Sequence, residues 1–99
     1  MPNVLLSHQA EIDLEEVWIF IAQTDANNAD SVLDRIAQES KVLAFQPLMG
    51  RVRVDLQAKI RSWPSSTSFA IYYLPTHQGI TVVRVLHQSM EINSKFFDN

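Results

Sequence analysis

Apolar residues in this chain switch from a helical to an alternating period near residue 50. The chain opens on a short apolar run, Val4-Leu5-Leu6, which predicts a first strand. Ser7 is placed to cap a helix that begins near His8. Ala10, Leu14, Val17, Trp18 and Ile21 then share one helical stripe, with Glu11, Glu15 and Glu16 on its flanks and far side. Thr24-Asp25-Ala26-Asn27-Asn28 breaks that pattern, and its Asp and Asn side chains can cap a second helix. Ala29, Val32, Leu33, Ile36, Ser40 and Leu43 repeat at helical spacing, which predicts a helix over residues 28–44. Pro47 prevents its continuation and Gly50 permits a tight turn. The short link between the two helices favours an antiparallel hairpin.

Beyond Arg51 the pattern is that of strands. Ile60-Arg61-Ser62-Trp63 reads as a short strand ended by Pro64. Residues 68–74 are apolar at both parities, as in a central strand covered on both faces. Residues 75–79 form a turn, and residues 80–87 follow as a strand rich in β-branched side chains. The tail from Met90 to Phe97 fits either a short helical turn or an irregular arm. The element order predicts one α+β domain spanning residues 1–99. A helical hairpin should pack on one face of a mainly antiparallel sheet of about four strands, leaving the other face partly open.

Composition narrows the class. At 99 residues, with 46% apolar content, the chain can build one core and not two. It has no cysteine, which removes disulfides and thiolate chemistry and suits a reducing cytoplasm. No apolar run has the length of a membrane span, and the N-terminus lacks the pattern of a signal peptide. The net charge of −3 conceals a split. Residues 1–50 carry two bases against eight acids, −6, and residues 51–99 carry six bases against three acids, +3. Such asymmetry points to a basic working surface on an acidic scaffold.

The sharpest candidate within that basic half is Arg84, alone in an apolar strand. Strict alternation puts it on one face with Ile80, Val82 and Leu86, opposite Thr81, Val83 and Val85. A guanidinium without a partner is costly beneath helices, so the Arg84 face should be the open one. The same logic exposes Arg61 and, two residues on, Trp63. With Arg51, Arg53 and His87 these residues would form a basic patch beside an aromatic. That patch suits a phosphate backbone, an RNA strand or an acidic protein segment. The alternative is a structural Arg84 paired with a carboxylate such as Asp55 or Glu91. His87 is a candidate general acid or base, but alternation groups it with Val83 and Val85, which favours a structural role. Asp13 and Glu16 read as a solvated helix face. His8, His77 and His87 are too far apart for a metal site, so neither metal nor cofactor is expected. Ile12 and Ile19 lie opposite the buried stripe and mark a contact for a partner or a second copy of the chain.

Leu6-Ser7, Ala10, Asp13-Leu14, Ala29, Leu43, Pro47, Gly50-Arg51, the Arg61 strand, Ile71-Tyr72-Tyr73 and the run from Arg84 to Met90 resemble the ParE/RelE-like toxins of bacterial type II toxin–antitoxin systems. The resemblance covers nearly the whole chain. It implies a cytoplasmic plasmid-stabilisation toxin held inactive by a cognate antitoxin, as a homodimer or a heterotetramer with it. ParE-like members poison DNA gyrase by binding. RelE-like members cut messenger RNA on the ribosome, through basic residues on the open sheet face and a Tyr or His near the C-terminus. After Arg84 this chain has no tyrosine, and its only basic residue is Lys95, which favours the ParE branch. Met90-Glu91 stands where many members have Arg-Asp. The expected target-binding residues are those of the basic patch, Arg51, Arg53, Arg61, Trp63 and Arg84, together with Glu91. The RNA-cleaving alternative would use Arg61, Arg84 and His87. A third reading is a non-toxic member that only binds antitoxin or serves plasmid maintenance.

Overall fold

The computed structural model describes residues 2–98. Ser7 ends the first strand, β1 (Asn3–Leu6), and starts the first helix, α1 (His8–Ala22). Its Oγ accepts the Ala10 N–H at 3.0 Å, satisfying one of the free donors at the helix start. Asp25 does the same for α2 (Ala26–Phe45), its Oδ1 accepting the Asn28 N–H at 3.1 Å. The cap is thus Asp25, and the second helix starts two residues ahead of the expected residue 28. The chain then forms β2 (Arg51–Val52), β3 (Arg61–Pro64), β4 (Phe69–Thr76) and β5 (Gly79–His87), and ends in a 3-10 turn over Ser94–Phe97. The tail therefore takes the first of its two expected forms, a short helical turn.

The sheet has five strands in the order β1-β5-β4-β3-β2. β1 runs parallel to β5 and the remaining pairings are antiparallel. This is the α+β architecture expected from the sequence; the parallel pairing of the predicted first strand and the two-residue β2 are the additions. The pattern of β2 is too short to stand out from a loop. Among the described residues, no helix is long and apolar enough to cross a membrane.

Two apolar layers flank the sheet. On the helix side, Ala10 and Val17 of α1 and Ile36, Leu43 and Ala44 of α2 meet Phe69, Ile71, Tyr73, Ile80, Val82 and Val85. Each fully buried aliphatic side chain here, such as Leu43, Ile71 or Ile80, contributes about 1.5–3 kcal/mol. On the other side, Leu56, Ile60, Ala70, Tyr72 and Leu86 form a second layer, packed against Val83, Leu74, Ile92, Phe96 and Phe97. The outer face is partly open, as expected, but less so than the element order implies. The loop between β2 and β3 and the C-terminal segment cover much of it.

Strict alternation also fails along β5. Tyr72 pairs with Arg84 but Tyr73 pairs with Val82, so Val83 is an extra residue in a β-bulge. Ile80 and Val82 face the helices before the bulge, and Val85 faces them after it. Val83, expected against the helices, lies in the outer layer. Ser7 pins the bulge: its N–H donates to the Val82 carbonyl at 2.9 Å and its Oγ–H to the Val83 carbonyl at 2.9 Å. One serine thus caps α1 and fixes the point where the side-chain parity of β5 reverses.

Candidate target-binding face

Arg84 follows the bulge, and its side chain is only 16% exposed. Its Nε donates to Asp13 Oδ2 at 2.8 Å and its Nη2 to Asp13 Oδ1 at 3.0 Å, a bidentate pair with α1. Its Nη1 donates to the Phe96 carbonyl at 2.8 Å, and the guanidinium lies 5.7 Å from the Phe96 ring centre. Asp13 is 4% exposed and also accepts the Val85 N–H at 3.0 Å. Arg84 shares the outer face with Tyr72 and Leu86, as expected, but the expectation that this face is open at Arg84 is corrected. Arg84 is a structural ion-pair member, and its carboxylate partner is neither Asp55 nor Glu91 but Asp13.

Arg61 and Trp63 share a parity on β3 and turn toward the helix side, not the outer face. The Arg61 Nη1 donates to the Gly50 carbonyl at 2.7 Å and the Leu48 carbonyl at 3.2 Å, closing the turn after α2. The Trp63 indole packs against the helix-side core and donates to Glu39 Oε1 at 3.2 Å. Glu39 also accepts from Ser65 and Ser66, fastening α2 to the loop after β3. His87 sits edge-on to Phe69, with ring centres 5.2 Å apart, and its Nδ1 accepts the Ser89 N–H at 3.1 Å. Glu91 is exposed in the segment after β5.

The arginines that line the open part of the outer face are Arg51 and Arg53. With Met49, Ser62, Tyr72 and Gln88 they line an open groove of about 410 Å³, which Trp63 borders. Arg51 is exposed. Arg53 forms a bidentate pair with Asp55, at 3.0 Å and 2.9 Å. That hydrogen bonding raises the pKa of Arg53 and lowers that of Asp55 from their ordinary values. Gln88 closes the upper rim: its amide donates to the carbonyls of Ser65, Thr67 and Phe69 at 2.9–3.1 Å. Tyr73 anchors the lower end from beneath. Its hydroxyl donates to the Pro47 carbonyl and accepts the Gly50 N–H, both at 2.8 Å. Burial raises its pKa.

A second surface lies along α1. Ile19 is 56% exposed and lines a shallow apolar groove with Leu6, Leu14, Trp18 and Leu33, edged by Glu11 and Glu15. Ile12 is half-buried and does not line that groove. Among the described residues, no group of three or more His, Asp or Glu side chains is placed to hold a metal ion.

Two anchors, Asp13 and Glu39, did not stand out in the sequence. Asp13 stands three residues after Ala10 and four before Val17, on the edge of the buried stripe, and that placement was its signal. Glu39 gave none, because its partners are in a loop about 25 residues away.

The profile of the ParE toxin of the type II toxin–antitoxin system parDE matches residues 4–92. The chain is 32% identical over 91 residues to toxin ParE1 of Mycobacterium tuberculosis, covering 90% of this chain and 92% of that one. It is 28% identical over 86 residues to toxin ParE1 of Caulobacter vibrioides, covering 86% and 88% respectively. Its fold superposes on a chain of the chromosomal ParDE toxin–antitoxin system from P. aeruginosa with a TM-score of 0.72, at 16% identity over 88% of this chain and 96% of that one. Motif residues such as Ser7, Asp13 and Arg84 clamp strand to helix, Tyr73 ties β4 to the turn after α2, and the protein belongs to the ParE toxin family of type II toxin–antitoxin systems.

Proposed function

We propose that this ParE-type toxin acts by binding DNA gyrase, not by cutting RNA, and that a cognate antitoxin neutralises it. One observation carries the choice. The side chains an RNA-cleaving site would use are committed to holding the fold. In-line attack by a 2′-hydroxyl needs a base, an acid and positive charge at the phosphate. Arg84 is held by Asp13 and the Phe96 carbonyl. Arg61 is held by two carbonyls, and His87 lies against Phe69. What remains on the outer face is a groove with Arg51 and Arg53 on its wall and Tyr72 on its floor. That arrangement suits docking on an acidic protein surface and lacks a proton-transfer pair. Among the proposed target-binding residues, Arg51 and Arg53 are thus the direct contacts, with Trp63 and Glu91 at the margin. Arg61 and Arg84 act by shaping the face.

For the antitoxin, the Ile19 groove is the proposed seat. Its apolar floor and its Glu11–Glu15 rim suit an amphipathic segment bearing positive charge. A gyrase target also implies a cytoplasmic location. The test is titration of the purified protein into gyrase supercoiling, with messenger RNA on translating ribosomes as the parallel assay. Loss of supercoiling with intact message is expected. Codon-positioned cuts with unaffected gyrase would establish the nuclease reading instead. Blank results in both, with tight antitoxin binding, would leave a non-toxic maintenance component.

A further inference from the structure

We infer that the C-terminal segment from Ile92 to Phe97 is an autoinhibitory strap that occupies the middle of the outer sheet face and lifts before that face takes its target. The inference rests on the reading that the outer face is the docking surface. The strap lays Ile92, Phe96 and Phe97 on the layer formed by Tyr72, Leu86, Leu56 and Ile60. The Phe97 ring packs on Tyr72 with centres 5.4 Å apart. Tyr72 is also the floor of the arginine-lined groove, so the strap ends where the groove begins. Lifting it would extend the groove across the full width of the sheet.

Its attachments are few and specific. Arg84 donates to the Phe96 carbonyl at 2.8 Å, and the Gln57 side chain donates to the Phe97 carbonyl at 3.0 Å. The hinge is equally well defined. Gln88 is fixed by three carbonyls, whereas residues 88–93 form no helix or strand and Ser89, Met90, Glu91 and Asn93 are exposed. Release does not strand a charge. Arg84 keeps both bonds to Asp13 when the Phe96 carbonyl leaves, so the latch is already satisfied in the open state. A segment with few contacts and a satisfied latch belongs to the low-stability end of a fold and opens without global unfolding.

The test uses the absence of native cysteines. Gln57→Cys and Asp98→Cys, joined by a reducible bis-maleimide linker, lock the strap, and reduction frees it. The locked and freed forms are compared in gyrase supercoiling and in cell-free translation. The strap predicts that the locked form inhibits roughly tenfold or more weakly than the freed form. Independently, Gln57→Ala without a linker should inhibit at lower concentration than the unsubstituted protein. Equal inhibition by locked and freed forms, or lost activity that reduction fails to restore, overturns the strap. Gated inhibition of translation alone keeps the strap and rejects gyrase. Equal inhibition of gyrase by both forms keeps gyrase and rejects the strap. Inhibition of neither process by any form rejects both.

Discussion

Asp13→Ala perturbs the fold at the point where three long-range hydrogen bonds tie α1 to β5. The substitution removes a carboxylate that is 4% exposed and accepts two bonds from Arg84 and one from the Val85 N–H. It leaves a guanidinium that is 16% exposed with one carbonyl for a partner, and it strands a buried backbone donor. Removing one side of such a pair costs about 3–5 kcal/mol. That is a large share of the ~5–15 kcal/mol that stabilises a domain of this kind. In a domain of this length the melting temperature should fall by about 12 °C or more. Urea and thermal melts followed by circular dichroism measure the effect. A double-mutant cycle separates the pair from its surroundings. Asp13→Leu with Arg84→Met should cost at least about 1.5 kcal/mol less than the sum of the two single changes. The double variant should still lie about 1–3 kcal/mol below the parent, because the Val85 N–H stays without an acceptor. A loss under about 1 kcal/mol for Asp13→Ala, or strict additivity in the cycle, would refute the clamp. An Arg84→Ala protein that melts like the parent and only loses activity would restore the open-face reading of that residue.

Tyr73→Phe removes the bonds to Pro47 and Gly50 and should cost about 1–3 kcal/mol in urea melts. The parent should also lose stability as pH climbs past about 10, because the unfolded chain ionises the phenol while burial keeps it protonated in the fold. The Phe variant should lack that part of the slope, and an unchanged alkaline profile would contradict it. Gly79→Ala should be destabilising by more than about 1 kcal/mol, since Gly79 has φ +142° and a Cβ there would collide with the Asn3 backbone. Its signature is faster hydrogen exchange across β1, and protection equal to the parent's would count against the pairing of β1 with β5. Ile19→Asp should weaken antitoxin binding by pull-down or calorimetry without lowering the melting temperature; unaltered affinity would move the antitoxin seat elsewhere.

The architecture was legible because it rests on local chemistry. The Ser7 cap, the stripe through Ala10, Leu14 and Val17, and the two-sided apolar run of β4 each follow from a short window of sequence. The helix hairpin needed only the short link between α1 and α2, and Pro47 with Gly50 marked the end of the second helix. The partner of Arg84 and the faces of Ile80, Val82 and Val83 were not legible, for two reasons. A period of two holds only along an unbroken strand, and the extra residue at Val83 reverses the parity of the residues before it relative to those after it. The compensating charge lies 71 residues earlier in the chain, on a helix edge that by pattern reads as solvated. Trp63 and Arg61 were misplaced for a related reason, since their partners, Glu39 and the Leu48 and Gly50 carbonyls, lie on another element and in the turn after α2. The charge split overstated the free basic surface, because Arg61 and Arg84 clamp the fold and contribute to the count and not to the surface.

Direct binding to gyrase tests the central claim most sharply. Purified protein titrated calorimetrically into gyrase should form a complex that weakens as salt rises, as expected of a contact rimmed by arginine. Arg51→Glu, an exposed change that leaves the clamp untouched, should weaken that complex by about tenfold or more at an unchanged melting temperature. No complex with gyrase, or a complex indifferent to Arg51→Glu, would contradict the account.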